Sequence, residues 1–175
     1  MNLDVDQGFN VLPLERGGAL ILSSHPGGLP GLTTQQAVNQ YGDLGARSLL
    51  SLVTTTELEQ LGLTHLPSLC AARGLEWLHG PIEDYQAPDH QFDQWWLTQR
   101  DSLHALLDQS QRVALHCWGG RGRTGTVAAR ILVERGLSPR LAIERVRQHR
   151  PGAIETSGQE QYVMALKSGA TPDLT

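Results

Sequence analysis

The chain has 175 residues, 39% of them apolar and 18% charged, a balance that suits one ordinary folded domain and excludes a disordered or collagen-like chain. No run approaches ~18 consecutive apolar residues, so no membrane insertion is expected. Only two cysteines occur, Cys70 and Cys117, and the acidic start from Met1 to Asp6 lacks the basic and apolar character of a leader, which points to a reducing, cytoplasmic setting without a disulfide framework. The net charge of −4 is unevenly spread: Gln111 to Arg150 holds nine arginines against Glu134 and Glu144, or +7, leaving five basic and 16 acidic residues, or −11, elsewhere. A basic stretch in an acidic chain suggests a site for an anion, although most of its arginines read as solvated helix faces. The stretch lacks interleaved aromatics, which argues against nucleic acid.

No repeat or linker divides the sequence, so a single domain over residues 1–175 is expected, with its core at about 18–166. Ala19 to Leu22 reads as a short buried strand ending in a Pro/Gly-rich loop through Gly31. Thr33 or Thr34 caps a short helix reaching about Tyr41. Arg47 to Val53 is a second strand, and Thr54-Thr55-Thr56-Glu57 resembles a capped helix start. His65 to Arg73 suggests another helix, followed by a strand at Leu75 to Leu78 and an aperiodic stretch from Pro81 to His90. A longer helix is predicted from Gln91 to about Gln109, burying Phe92, Trp95, Leu97, Leu103, Leu106 and Leu107. Arg112 to His116 is a short apolar strand, Thr124 to Glu134 is helical, Pro139 opens a further helix, and a last helix follows Thr156. Alternating strands and helices predict an α/β fold, a central mixed, mostly parallel sheet of four or five strands flanked by helices.

The segment that carries chemistry is His116-Cys117-Trp118-Gly119-Gly120-Arg121-Gly122-Arg123-Thr124-Gly125. It joins a buried strand to a helix, and its glycines let backbone N–H groups of Gly119, Gly120 and Gly122 turn inward around a small concave nest. The following helix N-terminus adds positive potential, so the cradle suits a tetrahedral anion. Arg123 offers a planar fork for phosphate oxygens, and Cys117 sits where the same field favours a thiolate facing the bound group. Thr124 can offer its hydroxyl to the sulfur, His116 reads as a buried orienter, Trp118 shapes the rim, and Arg121 adds a guanidinium at the mouth. A nucleotide-binding P-loop would need G-x-x-x-x-G-K-[ST], and this turn has neither that spacing nor a lysine. Metal binding by His116 and Cys117 lacks a second ligand pair, and a purely structural Gly-rich turn with a buried, inert cysteine is the alternative that the combination of residues speaks against. No metal or cofactor is expected. Cys70 reads as a buried helix thiol, with capture of an oxidised Cys117 as its alternative role. Expulsion of an alkoxide or phenolate needs an acid, and Glu83, Asp84 and Asp89 in the upstream loop are the candidates.

Cys-x5-Arg-Thr preceded by His resembles the signature of the protein tyrosine phosphatase superfamily. The match is nearest to its dual-specificity branch, of the cyclin-dependent kinase inhibitor 3 type. Pro81-Ile82-Glu83-Asp84-Tyr85-Gln86-Ala87-Pro88-Asp89 is similar to that family's general-acid loop, and Gly152-Ala153-Ile154-Glu155-Thr156 with Gln159 and Tyr162 to its glutamine-bearing loop. The resemblance implies the cysteine-phosphatase fold, a phosphocysteine intermediate on Cys117, Arg123 binding phosphate, and Asp84, 33 residues before Cys117, as general acid. It implies phosphoprotein substrates phosphorylated on tyrosine, serine or threonine. A phosphoinositide or other polyanionic phosphoester is the alternative, favoured by Arg121, and a phosphate-binding module without turnover is another. Arsenate reduction or sulfur transfer would leave the acid loop without a purpose. Glu155 stands where related enzymes often carry glutamine, which implies either slow hydrolysis of the intermediate or a substitute amide from Gln159.

Overall fold

The computed structural model describes residues 8–167. Five strands form one mixed sheet: β1 (Phe9–Pro13), β2 (Ala19–Ser23), β3 (Ala46–Ser51), β4 (Glu76–His79) and β5 (Arg112–His116). Their order across the sheet is β1-β2-β5-β3-β4, and only the β1–β2 pair is antiparallel. The three inner strands are buried along nearly their whole length because helices cover both faces, the pattern expected of parallel strands. Seven α-helices surround the sheet: α1 (Thr34–Asp43), α2 (Thr55–Gln60), α3 (Leu66–Arg73), α4 (His90–Asp108), α5 (Gly122–Glu134), α6 (Pro139–His149) and α7 (Ser157–Met164). This is the α/β architecture expected from the sequence.

Local sequence explains most helix starts. Thr33, Thr54 and Thr156 each close a reciprocal capping box with Gln36, Glu57 and Gln159, satisfying N–H groups that the first helical turn leaves open. Asp89 and Ser138 cap α4 and α6 with their side chains. In α4 the buried face is Phe92, Trp96, Leu103 and Leu107. The expectation for Leu97 is corrected: it is 45% exposed, while Trp96 is fully buried and donates its indole N–H to Glu134 at 2.8 Å. The stripe set by Phe92 recurs at four and seven residues, and Leu97 falls five residues on, on the solvent side.

Three further features differ from the sequence reading. The core reaches back to Phe9 and Leu12, because β1 forms a hairpin with β2 from Phe9↔Ser23 to Pro13↔Ala19. The expected helix from Thr124 starts two residues earlier and is buried all round from Gly122 to Val133, wedged between the sheet, α6 and α7. The basic segment is also less solvated than expected. Among the described residues, eight of its nine arginines donate to a carboxylate or a carbonyl, from Arg112 on Leu44 to Arg147 on Glu160. Arg121 alone does not.

β2, β5 and β3 end level with one another, since Ser23 and Ser51 are both paired in register with His116. The turn after β5 therefore opens at the carboxyl edge of the sheet, where α/β folds gather ligand-binding loops.

Candidate active site

Cys117 follows the last residue of β5 and is 3% exposed. Its Sγ accepts the N–H of Gly120 at 3.2 Å, so the turn closes over the sulfur. Gly120 has φ +73, and a Cβ there would lie 2.2 Å from the Ser23 backbone, so only glycine lets the turn pass beside β2. From behind, Arg150 donates its Nε–H to the Gly120 carbonyl at 3.0 Å and an Nη2–H to the Gly119 carbonyl at 3.1 Å. Its third nitrogen reaches Asn10 in β1 at 2.8 Å. Carbonyls held from outside keep the amides of the turn directed toward the cleft.

His116 is wholly buried and both ring nitrogens are committed. Nδ1 lies 3.0 Å from the Cys117 carbonyl, which can only accept, so Nδ1 carries the proton. Nε2 accepts from Ser51 Oγ at 2.5 Å, and Ser51 in turn accepts the Trp77 indole N–H at 2.9 Å. Burial pushes the imidazole down to about 4, helped by the nearby His25, Arg123 and His79 and opposed by the Cys117 carbonyl. A neutral, fully hydrogen-bonded ring is an orienter of the turn and has no lone pair left for proton abstraction.

That burial has a pH consequence. Below the ordinary value of 6.5 the unfolded chain takes up a proton on His116, whereas the folded protein refuses it until about 4. Stability contributed by the neutral ring is complete above pH 6.5 and is lost as pH falls toward 4, by about 3 kcal/mol in all. Urea midpoints measured from pH 7 to 4.5 should fall steeply in the wild type and more gently in His116→Asn. Equal slopes would show that the ring is not the source.

Arg123, on the first turn of α5, is 1% exposed. Its Nη1 and Nη2 meet the two Glu57 oxygens at 2.7 and 2.9 Å, and Nη1 also donates to the Ile82 carbonyl at 2.9 Å. Asp84 Oδ1 lies 3.1 Å from Nη2. Three of its five N–H donors are thus hydrogen-bonded, Asp84 pairs with Nη2 by charge, and the Nε–H has no partner among the described residues. Burial would push the Glu57 carboxyl up, but hydrogen bonds from Arg123 and Thr54 and the Arg123 charge outweigh it and hold Glu57 below the usual range.

A cleft of about 460 Å³ is lined by Cys117, Trp118, Gly119, Arg121, Gly122 and Arg123 from the turn, together with Glu57, Asp84, Tyr85, Glu155 and Gln159. Of the three upstream acids, Asp84 reaches the cleft. Asp89 instead caps α4 through Phe92 N–H at 2.8 Å, and Glu83 does not line the cleft. Trp118 is 42% exposed on the rim, edge-on to His25. Thr124 Oγ1 is buried and has no hydrogen-bond partner, Cys117 Sγ included. Gln159 is buried and ties two loops together: Oε1 accepts from the N–H groups of Glu155 and Thr156, and Nε2 donates to the Gln86 carbonyl at 3.1 Å. That leaves it a single uncommitted N–H. Cys70 lies on α3 away from the cleft lining, and burial pushes its thiol up to about 12, which keeps it protonated.

Sequence reasoning missed Glu57 and Arg150. Glu57 carried a local signal, its place three residues after Thr54 in a capping box, but nothing in that signal pointed to Arg123.

Similarity to known proteins agrees with this geometry. Residues 28–137 match the family described as a polymorphic toxin system DSP-PTPase phosphatase. Cyclin-dependent kinase inhibitor 3 of Rattus norvegicus is 30% identical over 132 residues, which cover 74% of this chain and 61% of that protein. The chain thus spans about three fifths of such relatives. Among solved structures, kinase associated phosphatase with its catalytic-site cysteine substituted by serine superposes with a TM-score of 0.77 at 26% identity, over 91% of this chain and 93% of the other. Tk-PTP in its active form gives a TM-score of 0.67 at 29% identity, over 89% and 93%. The matched span contains the Cys-x5-Arg turn and the segment from Pro81 to Asp89, and the chain belongs to the DSP-PTPase phosphatase family, within the dual-specificity branch of the protein tyrosine phosphatase superfamily.

Proposed function

We propose that this protein hydrolyses phosphomonoesters through a phosphocysteine intermediate on Cys117, with phosphoproteins as substrates. The observation that carries this reading is the convergence of Cys117 Sγ, the Arg123 guanidinium and the Asp84 carboxylate on one cleft whose floor is a turn of inward amides. A phosphoryl group seated on that turn takes the open Nε–H of Arg123 and the Nη2 donor now facing Asp84. Cys117 Sγ then attacks phosphorus as the bond to the leaving oxygen breaks. Asp84, freed from Arg123, delivers a proton to that oxygen and later accepts one from the water that cleaves the S–P bond.

A second reading is favoured by Arg121. It is the one arginine of the basic segment that makes no ion pair or hydrogen bond through its side chain among the described residues, and it lines the cleft. A free cation there suits a substrate with a second anionic group. Three carboxylates on the same walls, Glu57, Asp84 and Glu155, oppose it.

Hydrolysis measured in EDTA on phosphotyrosine and phosphothreonine peptides, beside an inositol phosphate, separates these readings. Asp84→Asn provides the mechanistic test. Its kcat should fall about 100-fold on a peptide, where the leaving group needs a proton, and far less on para-nitrophenyl phosphate. Equal losses on both esters would remove Asp84 from the acid role. No hydrolysis of any ester would overturn the phosphatase reading.

A further inference from the structure

Glu155 differs from the other carboxylates of the cleft. Glu57 has both oxygens on Arg123, and Asp84 faces the same guanidinium. Glu155 has no ion pair among the described residues; its Oε1 accepts the N–H of Gly122 at 2.8 Å. Gly122 stands between Arg121 and Arg123 in the anion-cradling turn and opens α5, so its amide is one of the donors that the cradle presents to an anion.

The backbone beneath Glu155 is held in place from several sides. Arg147 donates to the carbonyls of Ala153 and Ile154, both at 3.0 Å, and Ile154 N–H reaches the Arg121 carbonyl at 3.2 Å. Ile154 adopts φ +59, a left-handed conformation uncommon for a β-branched residue. The Glu155 N–H itself rests on Gln159 Oε1 at 2.9 Å. A Cβ at Gly122 would come to 3.1 Å from Glu155 Oε1 and from the Gln159 amide, so a larger residue there would press on both side chains. With its backbone fixed, Glu155 can leave the amide only by rotating its side chain.

We propose that Glu155 is an anion-selectivity residue: its carboxylate occupies the Gly122 amide in the resting cleft, and the substrate's phosphoryl group binds by displacing it. This rests on the phosphatase reading and deepens it. Displacement breaks a charge-assisted hydrogen bond, and the displaced carboxylate stays tethered beside the incoming dianion. Both effects weaken anion binding, and they weigh further against a second phosphate on that side of the cleft. The substrate so selected carries one phosphoryl group, with neutral or cationic neighbours facing Glu155.

The test is direct titration of inorganic phosphate into the full chain by calorimetry, comparing wild type with Glu155→Gln and Glu155→Ala. Glu155→Gln keeps an acceptor for Gly122 and removes only the charge. Both variants should bind phosphate roughly tenfold tighter than wild type, a step of about 1.4 kcal/mol. Glu155→Ala carries the comparison alone if Glu155→Gln fails to fold, with melting curves as the check. Unchanged or weaker binding overturns the proposal, and if the wild type still hydrolyses para-nitrophenyl phosphate, the phosphatase reading stands. Absence of phosphate binding in all three proteins overturns the proposal as well, and absence of hydrolysis with it brings down both.

Discussion

Cys117→Ser should lose hydrolysis of para-nitrophenyl phosphate by about 10⁴-fold or more in kcat/KM, a loss on the scale seen when a covalent nucleophile is removed. The substitution is nearly isosteric, and the site is closed by Gly120 N–H, which can donate to oxygen as well as to sulfur. The turn should therefore persist, and inorganic phosphate should still bind. What disappears is the proposed nucleophile. A serine hydroxyl must hand its proton to a base, and the adjacent histidine offers none: Nδ1 of His116 is spent on the Cys117 carbonyl and Nε2 on Ser51. A thiolate needs no such partner. Retention of a tenth or more of the activity by Cys117→Ser would sink the phosphocysteine route.

Arg123→Lys is expected to be the next most damaging change. A lysine keeps the charge but not the planar fork that spans both Glu57 oxygens and the Ile82 carbonyl. Arg123 is 1% exposed and the Glu57 side chain 12%, so the carboxylate would lose partners and regain only part of its hydration from the cleft. A stability loss of about 3 kcal/mol follows, seen as a melting temperature lower by roughly 6–12 °C. Activity should fall about 10³-fold, because the Nε–H and Nη2 donors that would clasp the developing charge on phosphorus in the proposed reaction are both gone. Glu57→Gln discriminates the two effects: it removes the charge partner and leaves the fork. A variant Arg123→Lys with near-normal kcat/KM would mean that the backbone amides alone hold the phosphoryl group.

What could be read from the sequence is what is local. The His116 to Gly125 turn is contiguous, and its glycines, cysteine and arginine imply the chemistry by type and spacing. The caps at Thr33, Thr54 and Thr156 are equally local, since each pairs with a residue three positions on. Long-range partners were not legible. Ser51 meets His116 across 65 residues and Glu57 meets Arg123 across 66, and no periodicity encodes either contact. Strand β1 escaped because Phe9 to Pro13 mixes one asparagine and a terminal proline into five residues, too short for a clear alternation. Trp96 and Leu97 were exchanged because adjacent apolar residues on a helix cannot both face the core, and hydrophobicity alone does not choose between them. Gln159 was expected to serve the substrate, and most of its amide serves the protein instead.

That last contact has a wider consequence. Gln159 Nε2 holds the Gln86 carbonyl and Thr156 Oγ1 holds the Tyr85 carbonyl, so the acid loop is stitched to the loop that presents Glu155. The two segments form one preassembled wall. A substrate need not freeze a wandering lid into place, and little ordering entropy is lost on docking. Such a wall resists swinging aside for a bulky ligand, so on the function proposed above the choice among substrates would fall on how the phosphorylated group enters the cleft past Tyr85 and Trp118.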